Sequence, residues 1–317
     1  MDTSNRQDNI RSSMTSFASE TYTKEERLSE MFDLQYEVAR ITCPHKSEYE
    51  LKHLRFWESL DELKRRNKQA CAGADDAIGD FEEGCRNLGR LISAEIGGNR
   101  GEHKAYRMLQ QQGCKGTIVR DLQLSEGVNR TELDLVVITG TAIAIVEVKN
   151  TKMDVYIDEV GDQYRLGYLE RFDSQLGTKM ELRKHLVQQI AKQAGVAGVD
   201  VLSLVCFTDS RISVENRCGF LTTCNLGTLS HQIDSFEGDR CIELDERAAI
   251  QKALLAASSE ERYPMDYDIE GFKLSFAKAL AAVEMAETAL SGQATSQEEA
   301  DPHQAASVGN YETCHAA

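Results

Sequence analysis

No apolar run in the 317-residue chain comes near the roughly 20 residues a membrane helix needs; the longest clean ones, such as Ala142 to Val146, are a handful. No membrane partner is therefore expected. The first residues, Met1-Asp-Thr-Ser-Asn-Arg-Gln-Asp, lack an apolar stretch behind a basic head, so no secretory leader is expected either. Paired cysteines are absent too. The nine cysteines, at 43, 71, 85, 114, 206, 218, 224, 241 and 314, include no Cys-x-x-Cys, and their number is odd. That spacing argues against a structural zinc site and a disulfide framework, and for reduced thiols in a cytoplasmic protein.

Net positive charge is the last thing missing. The chain carries −16 overall, whereas a protein that handles nucleic acid usually shows a basic patch. The acidity is unevenly spread. Arg100 to Gln193 holds 14 Lys and Arg against 13 Asp and Glu, a net of +1, and the flanks carry the remaining −17.

What is present divides into five segments. Residues 1–22 are polar and predict a flexible N-terminus. Residues 23–96 read as helices. Leu28, Met31, Phe32, Gln35 and Ala39 sit at helical spacing before Pro44. A second helix is predicted over 46–70. A third starts near Ala74, with an apolar seam at Ala74, Ile78, Phe81, Cys85, Leu88 and Ile92. The seam suits packing within a helical bundle, or pairing of two chains into a homo-oligomer. Gly97-Gly98-Asn99 reads as a break.

Residues 97–240 form the α/β segment: a helix from Glu102 to Gln112, strands over 117–124, 133–139 and 142–149, a helix over 179–194 and a strand over 199–208. A short strand at 219–223 and a helix at 226–236 follow. Two further helices, at 246–257 and 268–290, make a helical extension over 241–290, and 291–317 reads as a disordered acidic tail.

The chemistry sits in Thr131 to Asn150, TELDLVVITGTAIAIVEVKN. Two β runs are joined by Gly140-Thr141, which reads as a tight hairpin. In that register Asp134 faces Glu147 and Glu132 faces Lys149, all on one face and at the end away from the turn. The rest of both strands is apolar on both sides, as in a sheet covered by helices on each face. Two carboxylates facing one another in a desolvated place repel. A hard divalent cation, Mg²⁺ or Mn²⁺, relieves that repulsion and can activate water against a phosphodiester. A salt-bridged hairpin end is the plainer alternative.

With these residues on the page, the order of motifs resembles the nuclease-related domain (NERD) family of the PD-(D/E)XK nuclease superfamily. The motifs are Gly101-Glu102 at a helix start, Thr131-Glu132-Leu133-Asp134, Ile145-Val146-Glu147-Val148-Lys149-Asn150, and the Gln188-Gln189 helix before the strand 201–209. The likeness covers about residues 98–235 and implies a restriction-endonuclease-like mixed α/β core. It implies Asp134 and Glu147 as ligands of Mg²⁺ or Mn²⁺, with Glu102 reaching the metal directly or through water. Lys149 would be the catalytic lysine, and Gln188 would orient groups near the site, Gln189 being an equal candidate. The expected activity is metal-dependent hydrolysis of nucleic acid, DNA above all. The alternative is a nucleic-acid-binding or interaction module on the same fold without catalysis. Residue 133 is Leu, where the superfamily's name would put Pro before the Asp. His103 is a candidate phosphate contact. Arg165, Arg171, Lys179, Arg183, Lys184 and Lys192 are candidates for a nucleic-acid track, with Tyr156, Tyr164, Tyr168 and Phe172 among them as stacking candidates.

Overall fold

A computed structural model describes residues 21–126, 129–166, 170–259, 263–264 and 267–298. Eight helices are described: α1 (Lys24–Thr42), α2 (Glu48–Leu51), α3 (Phe56–Ala70), α4 (Asp75–Gln111), α5 (Leu176–Gln193), α6 (Leu229–Asp234), α7 (Leu244–Ala257) and α8 (Ile269–Glu298). Nine strands concern the site: β1 (Thr117–Glu126), β2 (Asn129–Ile138), β3 (Ala142–Lys149), β4 (Val155–Ile157), β5 (Gln163–Arg165), β6 (Glu170–Asp173), β7 (Asp200–Phe207), β8 (Val214–Asn216) and β9 (Thr222–Asn225). The chain divides into two compact units, one of residues 1–92 with 264–317 and one of residues 93–263.

The first unit is helical. Thr23 and Glu26 cap α1 reciprocally: the Glu26 N–H donates to the Thr23 hydroxyl at 3.2 Å and the Thr23 N–H to the Glu26 carboxylate at 2.9 Å. The helix predicted over 46–70 is two helices. Ser47 and Glu50 cap α2, and Glu58 accepts the Arg55 N–H at 2.9 Å where α3 begins. The seam from Ala74 to Ile92 is buried along its whole length. Phe81 at its centre meets Phe272 and Phe276 of α8 at ring-centroid distances of 5.4 and 5.1 Å. The seam is thus filled from within the chain, as the bundle reading expects.

Three expectations are corrected. Gly97-Gly98-Asn99 is not a break, because α4 runs through it unbroken. Each glycine costs a helix about 1 kcal/mol, and close packing at Gly101, described below, supplies a reason to keep small residues there. The predicted extension over 241–290 is split: α7 packs on α5 and β1 in the second unit, and α8 belongs to the first. The tail predicted from residue 291 continues as helix to Glu298. Residues 1–20 and 299–317 lie outside the described residues, and Thr21–Tyr22 form a two-residue strand.

The second unit is the mixed α/β layer structure that the sequence predicts. Its main sheet has the order β9-β7-β3-β2-β1. β1, β2 and β3 pair antiparallel, and β3–β7 and β7–β9 pair parallel. Helices cover both faces, which is why β2 and β3 are apolar on both sides. Met180, Val187 and Ile190 of α5 and Ile250 and Leu254 of α7 pack on one face with Val136, Ile145 and Val205. Ala105 and Leu109 of α4 and Leu229 and Ile233 of α6 pack on the other with Leu135, Val146 and Cys206. Three short strands between β3 and α5, joined by β8 from beyond β7, build a second sheet, β6-β5-β4-β8, from strands too short to leave a periodic signal. Gly161 at φ +88° and Gly177 bring this insert against the first turn of α5, where a Cβ on Gly177 would lie 2.1 Å from the Val160 carbonyl oxygen.

Candidate active site

The hairpin register is the one expected from its two-residue link. Leu135 pairs with Val146, Val136 with Ile145, Val137 with Ala144 and Ile138 with Ile143. The turn owes its shape to Thr139 rather than to Gly140. The Thr139 N–H donates to the Ala142 carbonyl at 2.9 Å, and the Thr139 hydroxyl oxygen accepts the Ala142 N–H at 3.0 Å. Gly140 is not among the residues with positive φ.

The regular ladder stops at Leu135–Val146, one residue before the acids. There the Val148 N–H donates to the Asp134 carboxylate at 2.7 Å, so a side chain stands where a backbone carbonyl would otherwise accept. Asp134 is buried and close enough to Glu147 and Glu102 to feel the charge of both. Glu147 receives two cations. The Lys149 ammonium lies 2.8 Å from one of its oxygens, and the Arg183 guanidinium bonds the other. Lys149 also reaches Asp173, at the end of β6, at 3.0 Å, and Lys179 stands 3.6 Å from the same carboxylate. Arg183, from α5, is buried and donates as well to the Thr131 hydroxyl at 3.0 Å.

The charges decide the protonation states. Burial first, and then the charges of Glu147 and Glu102, push the Asp134 carboxyl well above the ordinary carboxylate range, against the pull of the Val148 N–H and Arg183. Burial pushes the Glu147 carboxyl up as well, but Lys149 and Arg183 together outweigh it and hold it low. Burial likewise disfavours the Lys149 ammonium, and Glu147 with Asp173 more than restores it, so Lys149 stays charged.

Glu102 enters from α4. Gly101 lets that helix approach the ends of β3 and β7. A Cβ there would lie 3.1 Å from Asn150 Cβ, 3.4 Å from the Thr208 methyl and 3.5 Å from a Val148 methyl. Asn150 clips the three elements together: its amide donates to the Gly97 carbonyl at 2.8 Å, and its oxygen accepts the Thr208 hydroxyl at 2.6 Å. The sequence reading quoted Asn150 only as the end of a motif and gave it no role.

The structure therefore brings Glu102, Asp134, Glu147 and Lys149 together. It does not bring Gln188. That amide donates to the Val199 carbonyl at 3.3 Å, beside the start of β7, whereas Glu147 pairs with Val205 near its other end. Gln189 meets His185 on its own helix at 2.7 Å. Lys149 takes Asp173 as its second acid, a residue without a motif signal beyond its place just before a helix. Arg183 and Lys179 belong to the acid cluster rather than to a track. Tyr156 and Tyr164 pack on each other with centroids 5.9 Å apart. Tyr168 and the side chains of Arg171 and Phe172 lie outside the described residues.

Whether a divalent cation fits follows from the donors. Asp134, Glu147 and Glu102 are all hard oxygen donors, as Mg²⁺ and Mn²⁺ prefer. Burial first, and then the charges of Glu147 and Glu102, disfavour the ionised Asp134 carboxyl, and a cation beside it would offset both. The fit is one of charge and donor type, not of a preformed cage. Among the described residues no three His, Cys, Asp or Glu side chains stand in a metal-holding arrangement. Arg183 and Lys149 each hold one Glu147 oxygen, and each oxygen keeps a second lone pair that a cation could take.

The family model described as the nuclease-related domain matches residues 97–208, the family that the motif order resembles. No curated protein and no solved structure matches the chain. No helix among the described residues is long and apolar enough to cross a membrane.

Proposed function

We propose that the nuclease-related domain matched over residues 97–208 hydrolyses phosphodiester bonds in DNA, with Mg²⁺ or Mn²⁺ held by Asp134, Glu147 and Glu102. The observation that carries this reading is the buried acid cluster itself: Asp134, held by the Val148 N–H at 2.7 Å, stands close enough to Glu147 and Glu102 to feel both charges. A divalent cation in that place supplies Lewis acidity toward a phosphate oxygen and a nucleophilic water. The chain's own groups do the rest. Asp134 is fixed by the Val148 N–H, and Glu147 is oriented by Arg183, itself anchored on Thr131. Lys149 is kept charged by Glu147 and Asp173, so its role is that of a fixed cation facing the phosphate, not of a general base. Asn150 and Gly101 hold the helix that carries Glu102.

A second reading has its own observation. With both oxygens of Glu147 engaged by cations, the same fold can bind nucleic acid without cutting it. One assay separates the two. Supercoiled plasmid, linear duplex and single-stranded DNA are incubated with Mg²⁺ or Mn²⁺ beside an EDTA control, using wild type and Glu102→Gln. Cleavage is expected only with metal. Glu102→Gln is expected to raise the metal concentration needed by about 10–100-fold, the usual cost of losing a group that supports a metal site. A protein that binds DNA but cuts none of the three with either metal is the non-catalytic module.

A further inference from the structure

We infer that the exposed face of α4 formed by Arg100, Lys104 and Arg107 is where the backbone of a DNA duplex docks. The inference rests on the phosphodiesterase reading above for its ligand, and it supplies the binding surface that the net charge of −16 leaves unaccounted for. The three residues sit at i, i+4 and i+7 and so share one helical face. All three are exposed, while Ala105 and Leu109 of the same helix are buried against the sheet. His103 lies on that face too and is also exposed.

Two features separate this face from an ordinary solvated one. First, its cations have no acidic partner among the described residues. Some exposed cations elsewhere are paired locally, as Lys52 is by Glu48 at 2.7 Å and Arg211 by Asp209 at 2.6 Å, whereas here three unpaired cations stand within two turns of one helix. An unmatched basic face on an acidic protein is complementary to a polyanion. Second, the face begins at the rim of the acid cluster. Gly101 lies between Arg100 and Glu102 and packs on Asn150, the residue after Lys149. Lys152, two residues further on, is exposed as well. A strand gripped by this face is therefore led toward Glu102.

Spacing and composition select the kind of nucleic acid. Seven residues of helix span about 10 Å, close to three phosphate-to-phosphate steps of one strand at about 3.4 Å each along a duplex axis. The face carries no Phe, Tyr or Trp ring, and His103 is its one imidazole. Tyr106, the aromatic nearest in sequence, lies under the Arg120 guanidinium, 5.0 Å from its centroid. Cations without such rings suit backbone contacts to a duplex, whereas single-strand sites add aromatic platforms.

The test is binding of a fluorescent 20-base-pair duplex by the full chain in EDTA, measured by anisotropy across a salt series. The variants are R100Q/K104Q/R107Q and, as a charge-matched control, K52Q/R211Q/R217Q, with folding checked by circular dichroism. Wild type is expected to weaken steeply with salt. The triple variant is expected to bind roughly tenfold or more weakly at low salt, with a log–log slope shallower by about 2.7, or 0.9 per lost phosphate contact. The control variant is expected to match wild type. An unchanged slope in the triple variant, no duplex binding by wild type, or tighter binding of a single strand overturns the inference. Cleavage assayed in parallel keeps the two readings apart. A slope change without cleavage removes the hydrolytic reading and leaves the surface. Cleavage with an unchanged slope does the reverse.

Discussion

Glu147→Gln is expected to abolish metal-dependent cleavage and, at the same time, to destabilise the second unit by about 3–5 kcal/mol. Sequence reasoning alone expects the first effect without the second. The structure joins them, because Glu147 is the anion that compensates both Lys149 and Arg183 in a largely buried place. Removing one member of a buried charge network strands its partners, and that penalty is of the stated size. The catalytic loss comes from a lost metal ligand and is expected to be on the order of 10³-fold or more. A double variant separates the two effects. Glu147→Gln with Arg183→Met is expected to regain part of the stability, because a stranded guanidinium is removed with its partner, and to regain no cleavage. Urea unfolding of the three variants beside wild type checks the first statement, and plasmid cleavage the second. Additive losses of stability would show that Arg183 and Glu147 are not coupled.

The opposite trade is expected at Asp134. Its carboxyl is pushed up by burial and by the charges of Glu147 and Glu102. A carboxyl whose folded pKa lies above its unfolded value, about 3.9 for Asp, takes up protons on folding. Its contribution is fully present below the unfolded value and is lost as pH rises through the folded one. Above its unfolded value the buried Asp134, which must either ionise in place or take up a proton, is thus a cost that the fold carries. Asp134→Asn keeps an oxygen for the Val148 N–H and removes the charge. The variant is expected to be more stable than wild type by about 0.5–2 kcal/mol at pH 8, the range common for relief of a strained functional site. The gain is expected to shrink toward pH 4, and cleavage is expected to be lost. Thermal unfolding of both proteins from pH 4 to 8 reads the difference. A variant less stable than wild type at pH 8 would mean that Asp134 is a structural acceptor first and not a charge held for a ligand.

Much of this site is legible in the sequence because it is local. Period-two alternation and a two-residue link fix the register of the hairpin as far as Leu135 and Val146, and so bring Asp134 and Glu147 to its open end. What escapes is what tertiary packing brings. Arg183 lies 36 residues from Glu147, and nothing in α5 distinguishes it from the charged residues around it until its burial is seen. Asp173 rides on a short strand of an insert with no periodic signal. The Gln188 reading fails on helix phase. Val187 and Ile190 lie on the buried stripe of α5, and the next residue after Val187 is turned about 100° away from it. Gly97 and Gly98 mislead for the reverse reason. Their weak helix propensity is local, whereas the contact of Gly101 with Asn150 that favours small residues in this stretch is made 49 residues away and gives no local sign.

The central claim is that the carboxylates at the hairpin's open end share one divalent cation. Mn²⁺ titration by calorimetry on wild type, Asp134→Asn and Glu102→Gln, without DNA, tests it most directly. One saturable site in wild type, absent in Asp134→Asn and weakened about 10–100-fold in Glu102→Gln, is the expected result. Mn²⁺ binding that is absent in wild type, or equally tight in all three proteins, would contradict it.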